Sequence, residues 1–400
     1  MKNTPRSEGA YTRIVRATCV LVLSIILVAG LWPFHAPRNN VSWVVNENGL
    51  RFGRNGSAIT LGSLHPNRPA TAPSCSLELW LQPGRVSGDS SIFAIDSSAD
   101  PRAPFLLRQY GTSMAIQHHV VDQQGIVRRP WFKIDGVFHD GEQSFITITS
   151  DEQDTAVYVN GVLVARSAEL GFTRRDLAGR LVLANSTVDD SWTGRIMGLA
   201  IYDRELTSAD VMRHFESWIS NHQPALAGEP RPLALYLFDE RSGMTVHNQV
   251  DPTTDLVIPH NYFVLHPTFL NPTWVQYSHM ANFWTRWSVW QDIGVNIAGF
   301  VPLGFVFLAY LTSVRPIKRP VLVTALLGFF LSLGIEVLQR FLPTRDSGMT
   351  DLLTNTTGTV LGVLLYRQPF VQTLIARMVT GANWSPDLSA AGSAESFSEL

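Results

Sequence analysis

The chain carries long apolar runs near both ends and is patterned differently between them. The first run extends from Ile14 to Trp32, broken only by Arg16 and small polar residues. It is about long enough to span a bilayer as a helix. A second run covers Ile293 to Leu311 and a third Val321 to Phe341. The fourth, Leu352 to Tyr366, is short and contains Thr354, Asn355, Thr356 and Thr357. A short helix can still cross where its neighbours and the local bilayer accommodate it. The pattern predicts an α-helical transmembrane bundle of about four spans, at 14–32, 293–311, 321–341 and 352–366.

Between the first two runs the period changes. Ser76-Leu77-Glu78-Leu79-Trp80-Leu81, Ser144-Phe145-Ile146-Thr147-Ile148-Thr149 and Ala156-Val157-Tyr158-Val159 all alternate every second residue. That is the pattern of a strand. Asn160-Gly161 then precedes Val162-Leu163-Val164-Ala165. Asn-Gly between apolar runs is a strong hairpin signal, because both turn residues need positive φ. Many short strands divided by turn residues from Val41 to Trp218 predict an antiparallel β-sandwich. Its span is taken as residues 38–260, because Leu235 to Gly243 and Asp255 to Pro259 are expected to return and complete it.

The pieces of this region resemble the laminin-G-like, concanavalin-A-type jelly roll. They are Gly49-Leu50-Arg51-Phe52, Leu77-Glu78-Leu79-Trp80, the Tyr158 to Gly161 hairpin, Trp192-Thr193-Gly194-Arg195-Ile196, Ile201 to Leu206 and a short helix at Ser208 to Trp218. The segment around Leu235-Tyr236-Leu237-Phe238-Asp239, which normally opens such a domain, comes last here. The resemblance implies glycan or protein recognition, although a fold alone does not fix a function.

Basic residues orient the spans, since cytoplasmic loops carry an excess of Lys and Arg. Lys2, Arg6, Arg13 and Arg16 precede or begin the first run. Arg315, Lys318 and Arg319 follow the second, and Arg367 and Arg377 follow the fourth. All three groups agree with residues 1–13 and the tail 368–400 in the cytoplasm and the sandwich outside. The tail is rich in Ser, Ala and Glu and is expected to be largely disordered. A cleaved signal peptide is the alternative for the first run, but Leu31-Trp32-Pro33-Phe34 puts bulky residues where cleavage needs small ones. Residues 261–291 hold Trp274, Tyr277, Phe283, Trp284, Trp287 and Trp290. Such aromatics favour the membrane interface, so an interfacial segment is expected there, with packing under the sandwich as the alternative.

Composition agrees with this division. The chain is 45% hydrophobic and only 16% charged, against about 25% charged in ordinary soluble domains. A formal net charge of −2 leaves no electrostatic footprint for nucleic acid. Cys19 lies in the first apolar run and Cys75 in the sandwich, so no disulfide is expected. The context of Cys19 does not suit a lipid-modified cysteine. No Cys/His cluster has metal-ligand spacing, and no cofactor or metal is expected. Asp189 and Asp190 could join a calcium site, or stand in a solvated loop. His118 and His119 are adjacent, so on a strand they point to opposite faces. No carboxylate pair is placed for glycoside cleavage, which favours binding over hydrolysis and leaves the enzyme question open.

The apolar spans carry polar stripes. Asp292, Asn296 and Gly299 lie on the second span; Gly328, Ser332, Glu336 and Gln339 on the third; Asp351, Asn355, Gly358 and Gly362 on the fourth. Spacings of three and four put each set on one helix face. Small residues let helices approach closely and polar side chains bond across the contact. Gly299, Gly328, Ser332, Gly358 and Gly362 are therefore candidate packing residues. Given the orientation, Asp292, Asn296, Glu336, Gln339, Asp351 and Asn355, with Arg345 from the outer loop, are expected to converge near the outer face. Ionisable groups at such depth face a protein interior or a wet cavity. The cluster is a candidate binding or catalytic pocket, in which Arg345 would offset three carboxylates and hold an anionic headgroup. Helix packing alone is the alternative.

These same stretches resemble the VanZ family. The matching motifs are Asp292-Ile293-Gly294-Val295-Asn296-Ile297-Ala298-Gly299-Phe300-Val301-Pro302-Leu303-Gly304, Leu331-Ser332-Leu333-Gly334-Ile335-Glu336-Val337-Leu338-Gln339 with Leu342-Pro343-Thr344-Arg345, and Asp351 to Gly358. A VanZ-like region at 292–367 is expected, with the sandwich inserted between the family's first and second helices. The resemblance implies a multi-pass protein of the bacterial cytoplasmic membrane with a role in the cell envelope. The family's namesake is associated with low-level resistance to the glycopeptide teicoplanin. The expected partners are membrane lipids, an envelope glycan or lipid-linked glycan at the polar pocket, and a glycan or protein partner at the sandwich. The rival reading is a membrane-anchored binding module whose helices are only a scaffold. A small transporter is less favoured, because no internal repeat is detectable.

Overall fold

A computed structural model describes residues 5–64, 74–96, 105–118, 120–121, 127–128, 130–151, 153–186, 191–264, 269–270, 287–345 and 347–380. His119, Asp189, Asp190, Trp274, Tyr277, Phe283, Trp284 and the tail beyond Asn383 lie outside them, and with them the calcium alternative and most of the interfacial segment. The chain divides into two compact units. One comprises Pro33–Thr268 with Leu342–Asp346, the other Met1–Trp32, Phe269–Phe341 and Ser347–Leu400.

The first unit is a sandwich of two eight-stranded antiparallel sheets. One sheet runs in spatial order Val41–Trp43, Leu50–Phe52, Gly194–Tyr202, Cys75–Pro83, Ser144–Ser150, Thr155–Val159 and Val162–Ser167. Ala234–Tyr236 also pairs with Gly194–Tyr202. The second runs Trp131–Ile134, Ser113–His118, Phe105–Tyr110, Asp89–Asp96, Arg180–Leu183, Ala58–Thr60, Leu256–Val257 and Thr245–Val246. Both expected returns are present: Ala234–Tyr236 closes one sheet, and Leu256–Val257 joins Ala58–Thr60 in the other. Asn160 and Gly161 adopt φ of 51° and 80° and turn the chain between two paired strands. Leu77, Leu79, Leu81, Phe93, Phe105, Ile146, Ile148 and Trp192 are among the side chains that fill the space between the sheets.

Alternation along Cys75–Pro83 predicts one dry face and one wet face, yet nearly every residue of the strand is buried. The cover is helix α2, Ser208–Asn221. Val211 and Trp218 pack with Trp80, Phe145, Tyr158 and Tyr202 on the outer face of the sheet. The helix starts at a capping box in which Thr207 Oγ1 accepts from Asp210 N–H at 3.2 Å and Asp210 accepts from Thr207 N–H at 3.0 Å. That reciprocal pair satisfies two of the N–H groups a helix start leaves open.

The second unit is helical. It contains α1 (Pro5–Leu31), α3 (Trp287–Ala309, continued by a π turn at Tyr310–Val314), α4 (Pro320–Gln339), α5 (Met349–Tyr366) and α6 (Pro369–Thr380). Among the described residues, three segments are long and apolar enough to cross a membrane: Gly9–Leu31, Trp287–Val314 and Pro320–Gln339. The expected fourth, α5, is not among them, because Asp351, Asn355 and five threonines dilute its apolar residues. It is instead the helix against which its neighbours close. A Cβ on Gly358 or Gly362 would strike the backbone of Ile297 or Val301 of α3. One on Gly304 or Gly328 would strike Thr359. Helix α3 also begins six residues before the apolar run, so Trp287, Trp290 and Asp292 are helical. The helix boundary follows backbone hydrogen bonding, whereas the apolar run marks only composition.

Gly299 departs from expectation: it is exposed, and a Cβ there meets nothing within 4 Å. Gly358→Val should therefore lower the yield of folded protein and its melting temperature in detergent, by the roughly 1–3 kcal/mol or more of an overpacked contact. Gly299→Ala should hold or raise both, since no neighbour is displaced and Ala is the better helix former. Equal behaviour of the two variants would refute glycine-mediated closure of α3 on α5.

Candidate functional site

The polar stripes meet where α4 ends and α5 begins. Gly348, the N-cap of α5, has no side chain to satisfy its own helix start. Its N–H donates to Glu336 Oε2 at 2.8 Å. Glu336 is 1% exposed and sits in the last turn of α4, so a buried carboxylate lies at the electropositive start of α5. Asp351, in the first turn of the same helix, accepts from Asn296 Nδ2 at 2.9 Å. One turn on, Asn355 Nδ2 donates to Ser332 Oγ at 3.0 Å. Gln339 Nε2 donates to the carbonyl of Gly30 at 2.8 Å, in the last turn of α1, whose final carbonyls have no partner within the helix.

Each of these two amides spends its NH₂ group and leaves its oxygen. Gln339 Oε1 and Asn355 Oδ1 are buried with no hydrogen-bond partner among the described residues. Turning Asn355 over would let Ser332 donate to the oxygen but would strand the NH₂, so a polar atom stays open either way. An unmet buried polar group costs about 1–3 kcal/mol. Such groups in a native structure call for an explanation. The cluster offers two open amide oxygens beside two carboxylates that accept from Gly348 and Asn296. It suits hydroxyl or ammonium donors better than an anion.

Two of the seven expected members are placed differently. Asp292 is exposed and bonds none of the others. It lies a full turn before Asn296, whose partner Asp351 is already in the first turn of α5, so no residue of that helix stands opposite it. Arg345 is half-buried in the Leu342–Asp346 segment, which groups with the sandwich unit. Sequence reasoning did not single out Gly348, Gly304, Thr359 and Gly30. Gly304 lay inside a quoted motif. The other three act through backbone groups or a packed methyl, which leave no polar pattern.

The sandwich holds a second polar cluster, beneath α2. Glu78, fully buried, accepts from Tyr202 Oη at 2.8 Å and Trp218 Nε1 at 3.0 Å, and lies 2.8 Å from His214 Nδ1. His214 Nε2 is 3.1 Å from Glu229, which also pairs with Arg204 and Arg213. Burial and the neighbouring Glu78 charge push the Tyr202 hydroxyl well above its usual range, keeping it a donor. Burial acts to raise the Asp210 carboxyl, but bonds from Arg213 and Thr207 and the Arg204 charge hold it well below the usual range. Glu78 and His214 are closed to solvent, so this network is a structural bolt between sheet and helix. His118, on a strand of the other sheet, bonds Asp176 at 3.0 Å. Among the described residues no group of three or more His, Cys, Asp or Glu is placed to hold a metal.

Residues 236–374 match the VanZ/LLP1 family, and residues 53–212 match the Laminin_G_3 model of the concanavalin A-like lectin/glucanases superfamily. The chain thus joins the two regions its motifs pointed to and is a membrane protein with a concanavalin A-like domain. The VanZ/LLP1 match begins within the strands that close the sandwich, well before the first of the apolar motifs. A comparison with curated proteins gives no match. Among solved structures, a putative carbohydrate binding protein from Bacteroides ovatus is 12% identical, over 56% of this chain and 58% of that one, with a TM-score of 0.36. A pentraxin from Limulus polyphemus is 13% identical over 56% and 96%, at 0.33. The receptor binding domain of botulinum neurotoxin D is 15% identical at 0.34, and the chain spans 48% of its length. At these scores the likenesses carry nothing beyond the shape already described.

His214→Ala would leave the buried Glu78 and the half-buried Glu229 without their shared partner. Losing one member of a buried charged cluster costs about 3–5 kcal/mol. Thermal unfolding should show a large destabilisation of the sandwich, and a melting temperature within a degree or two of the parent would refute the structural role.

Proposed function

We propose that this is a cell-envelope protein whose helical unit engages the polar part of a lipid or lipid-linked glycan, while the sandwich recognises glycan. The observation that carries the reading is the pair of buried, unpartnered amide oxygens of Gln339 and Asn355 beside Glu336 and Asp351. Polar groups in membrane helices are costly and mark function by default. The two amide oxygens are acceptors without donors among the described residues, which a hydroxyl- or amine-bearing headgroup would satisfy. The basic residues Arg315, Lys318 and Arg319 after α3 support an arrangement with this end of the helices outside the cytoplasm. In that arrangement the membrane is the bacterial cytoplasmic membrane and the sandwich is extracytoplasmic. If the site is catalytic, Glu336 or Asp351 would serve as acid or base.

Leucine variants separate this reading from helix packing. Asn355→Leu made together with Ser332→Ala removes the unmet oxygen and both partners of that bond, which can be neutral or stabilising. Gln339→Leu removes its unmet oxygen and frees only the Gly30 carbonyl at the half-buried end of α1. Both should retain membrane levels and melting temperature. Lipid co-purified with the protein, identified by mass spectrometry, should fall or vanish, and any effect on teicoplanin susceptibility should go with it. Unchanged lipid retention in both variants at matched levels would sink the proposal. A loss of folded protein would favour the rival reading of helices as a scaffold, in which the sandwich on an unrelated anchor keeps full function.

A further inference from the structure

A cleft of about 950 Å³ opens on the sandwich at the ends of Leu50–Phe52, Gly194–Tyr202 and Cys75–Pro83. Four arginines line it: Arg51, Arg54, Arg85 and Arg195. Among the described residues no carboxylate lines it. Arg51 and Arg195 are direct partners across neighbouring antiparallel strands, and Gln82 faces Arg195 from the next strand. Leu50 and Phe52 point into the core, so Arg51 points outward. Like charges directly opposite on one sheet face are destabilising, and here they are barely offset. Arg195 has Glu47 at 3.6 Å, with the Glu47 side chain 62% exposed. Arg51, Arg54 and Arg85 form no ion pair among the described residues.

The walls are held in place. Gln82 Nε2 donates to Gly141 O at 2.5 Å, Gly84 N–H to Thr193 O at 2.9 Å, Asn55 N–H to Ser191 Oγ at 2.8 Å, and Gln109 Nε2 to Arg85 O at 2.8 Å. A Cβ at Gly194 would collide with the Trp192 ring, and one at Gly84 would press on Thr193 O at 3.1 Å. The cleft is therefore a fixed surface whose charge is unfavourable when empty. Arginine's planar fork matches carboxylate and phosphate oxygens. Between the arginines stand hydroxyl, amide and backbone groups that can bond sugar hydroxyls. The apolar lining residues Phe52 and Pro83 are buried, so an acidic peptide would find no pocket for its apolar side chains.

We infer that this cleft binds a saccharide bearing carboxylate or phosphate groups. The inference rests on reading the sandwich as the glycan-recognising part and supplies the chemical class of that glycan. The test uses the full chain in phosphatidylcholine nanodiscs. The probes are a galacturonate hexamer, a phosphorylated mannopentaose and neutral maltohexaose, with binding measured by calorimetry at two salt concentrations. At least one anionic probe should bind roughly ten-fold or more tightly than maltohexaose, the strength of charge-assisted bonds, and lose that advantage at high salt. Arg51→Gln with Arg195→Gln should abolish the preference while the melting temperature holds or rises, because opposed charges are removed. An anionic preference that survives this double substitution overturns the assignment to the cleft. Binding of maltohexaose alone overturns the anionic class but not glycan recognition, and failure of all three saccharides overturns both. Binding to phosphatidylglycerol vesicles that the same substitutions abolish, without binding to any soluble probe, replaces the saccharide with a lipid phosphate.

Discussion

A carboxylate removed from water must meet donors that are already in place, and both units of this protein are organised around that requirement. In the helical unit the donor is a backbone group: Gly348 N–H at the start of α5 meets Glu336 near the end of α4. The contact sets where α5 begins relative to α4, and from there Asn355 reaches Ser332 and Asp351 reaches Asn296. In the sandwich the donors are side chains from two elements, Tyr202 on a strand and Trp218 on α2, converging on Glu78. Replacing such a carboxylate by an apolar residue would remove its burial cost. Its retention ties each helix to one register, because only one placement brings its donors within reach.

Close backbone approach is the second constraint. Without the glycines at 304, 328, 358 and 362, α5 could not sit near enough to α3 and α4 for these short side chains to bond. Asn296 and Ser332 are among the shortest polar residues, and their bonds of 2.9 and 3.0 Å need helices in near contact. Packing and polar chemistry are therefore one arrangement in this unit. The small-residue stripe does not by itself argue against a ligand, because it is also what holds the polar atoms at their positions.

Much of the architecture was legible in the sequence for a physical reason: alternation and helical periodicity report which side of an element meets solvent. Asn160-Gly161 gave its hairpin directly, since the turn dictates its residues. The burial of Cys75–Pro83 on both faces was less legible, because a polar Glu78 in an alternating strand reads as a wet position until α2 supplies its partners. Helix α3 starts ahead of the apolar run for a related reason. Trp287 and Trp290 are helical but not part of the apolar run, and hydropathy cannot distinguish an amphipathic helix end from an interfacial segment. Spacing identified Asn296, Glu336, Gln339, Asp351 and Asn355, because residues three and four apart share a face. It could not exclude Asp292, which shares that face but lies above the start of α5. It could not reveal Gly348 or the Gly30 carbonyl either, since a backbone donor or acceptor has no signature in the sequence.

The two polar surfaces of the molecule have opposite chemistry. The helical cluster offers oxygen acceptors and the cleft on the sandwich offers guanidinium donors. Neither is explained by the stability of the part that carries it. Leaving Gln339 Oε1 and Asn355 Oδ1 unmet is unfavourable inside a helical unit, and setting Arg51 opposite Arg195 is unfavourable on a sheet. Apolar residues at Asn355 and its partner Ser332 together can be neutral or stabilising, and a mixed-charge pair in place of Arg51 and Arg195 would stabilise the sheet. Local violations of that kind concentrate where a protein meets something other than itself. A ligand with hydroxyl or amine groups answers the first and one with oxyanions answers the second.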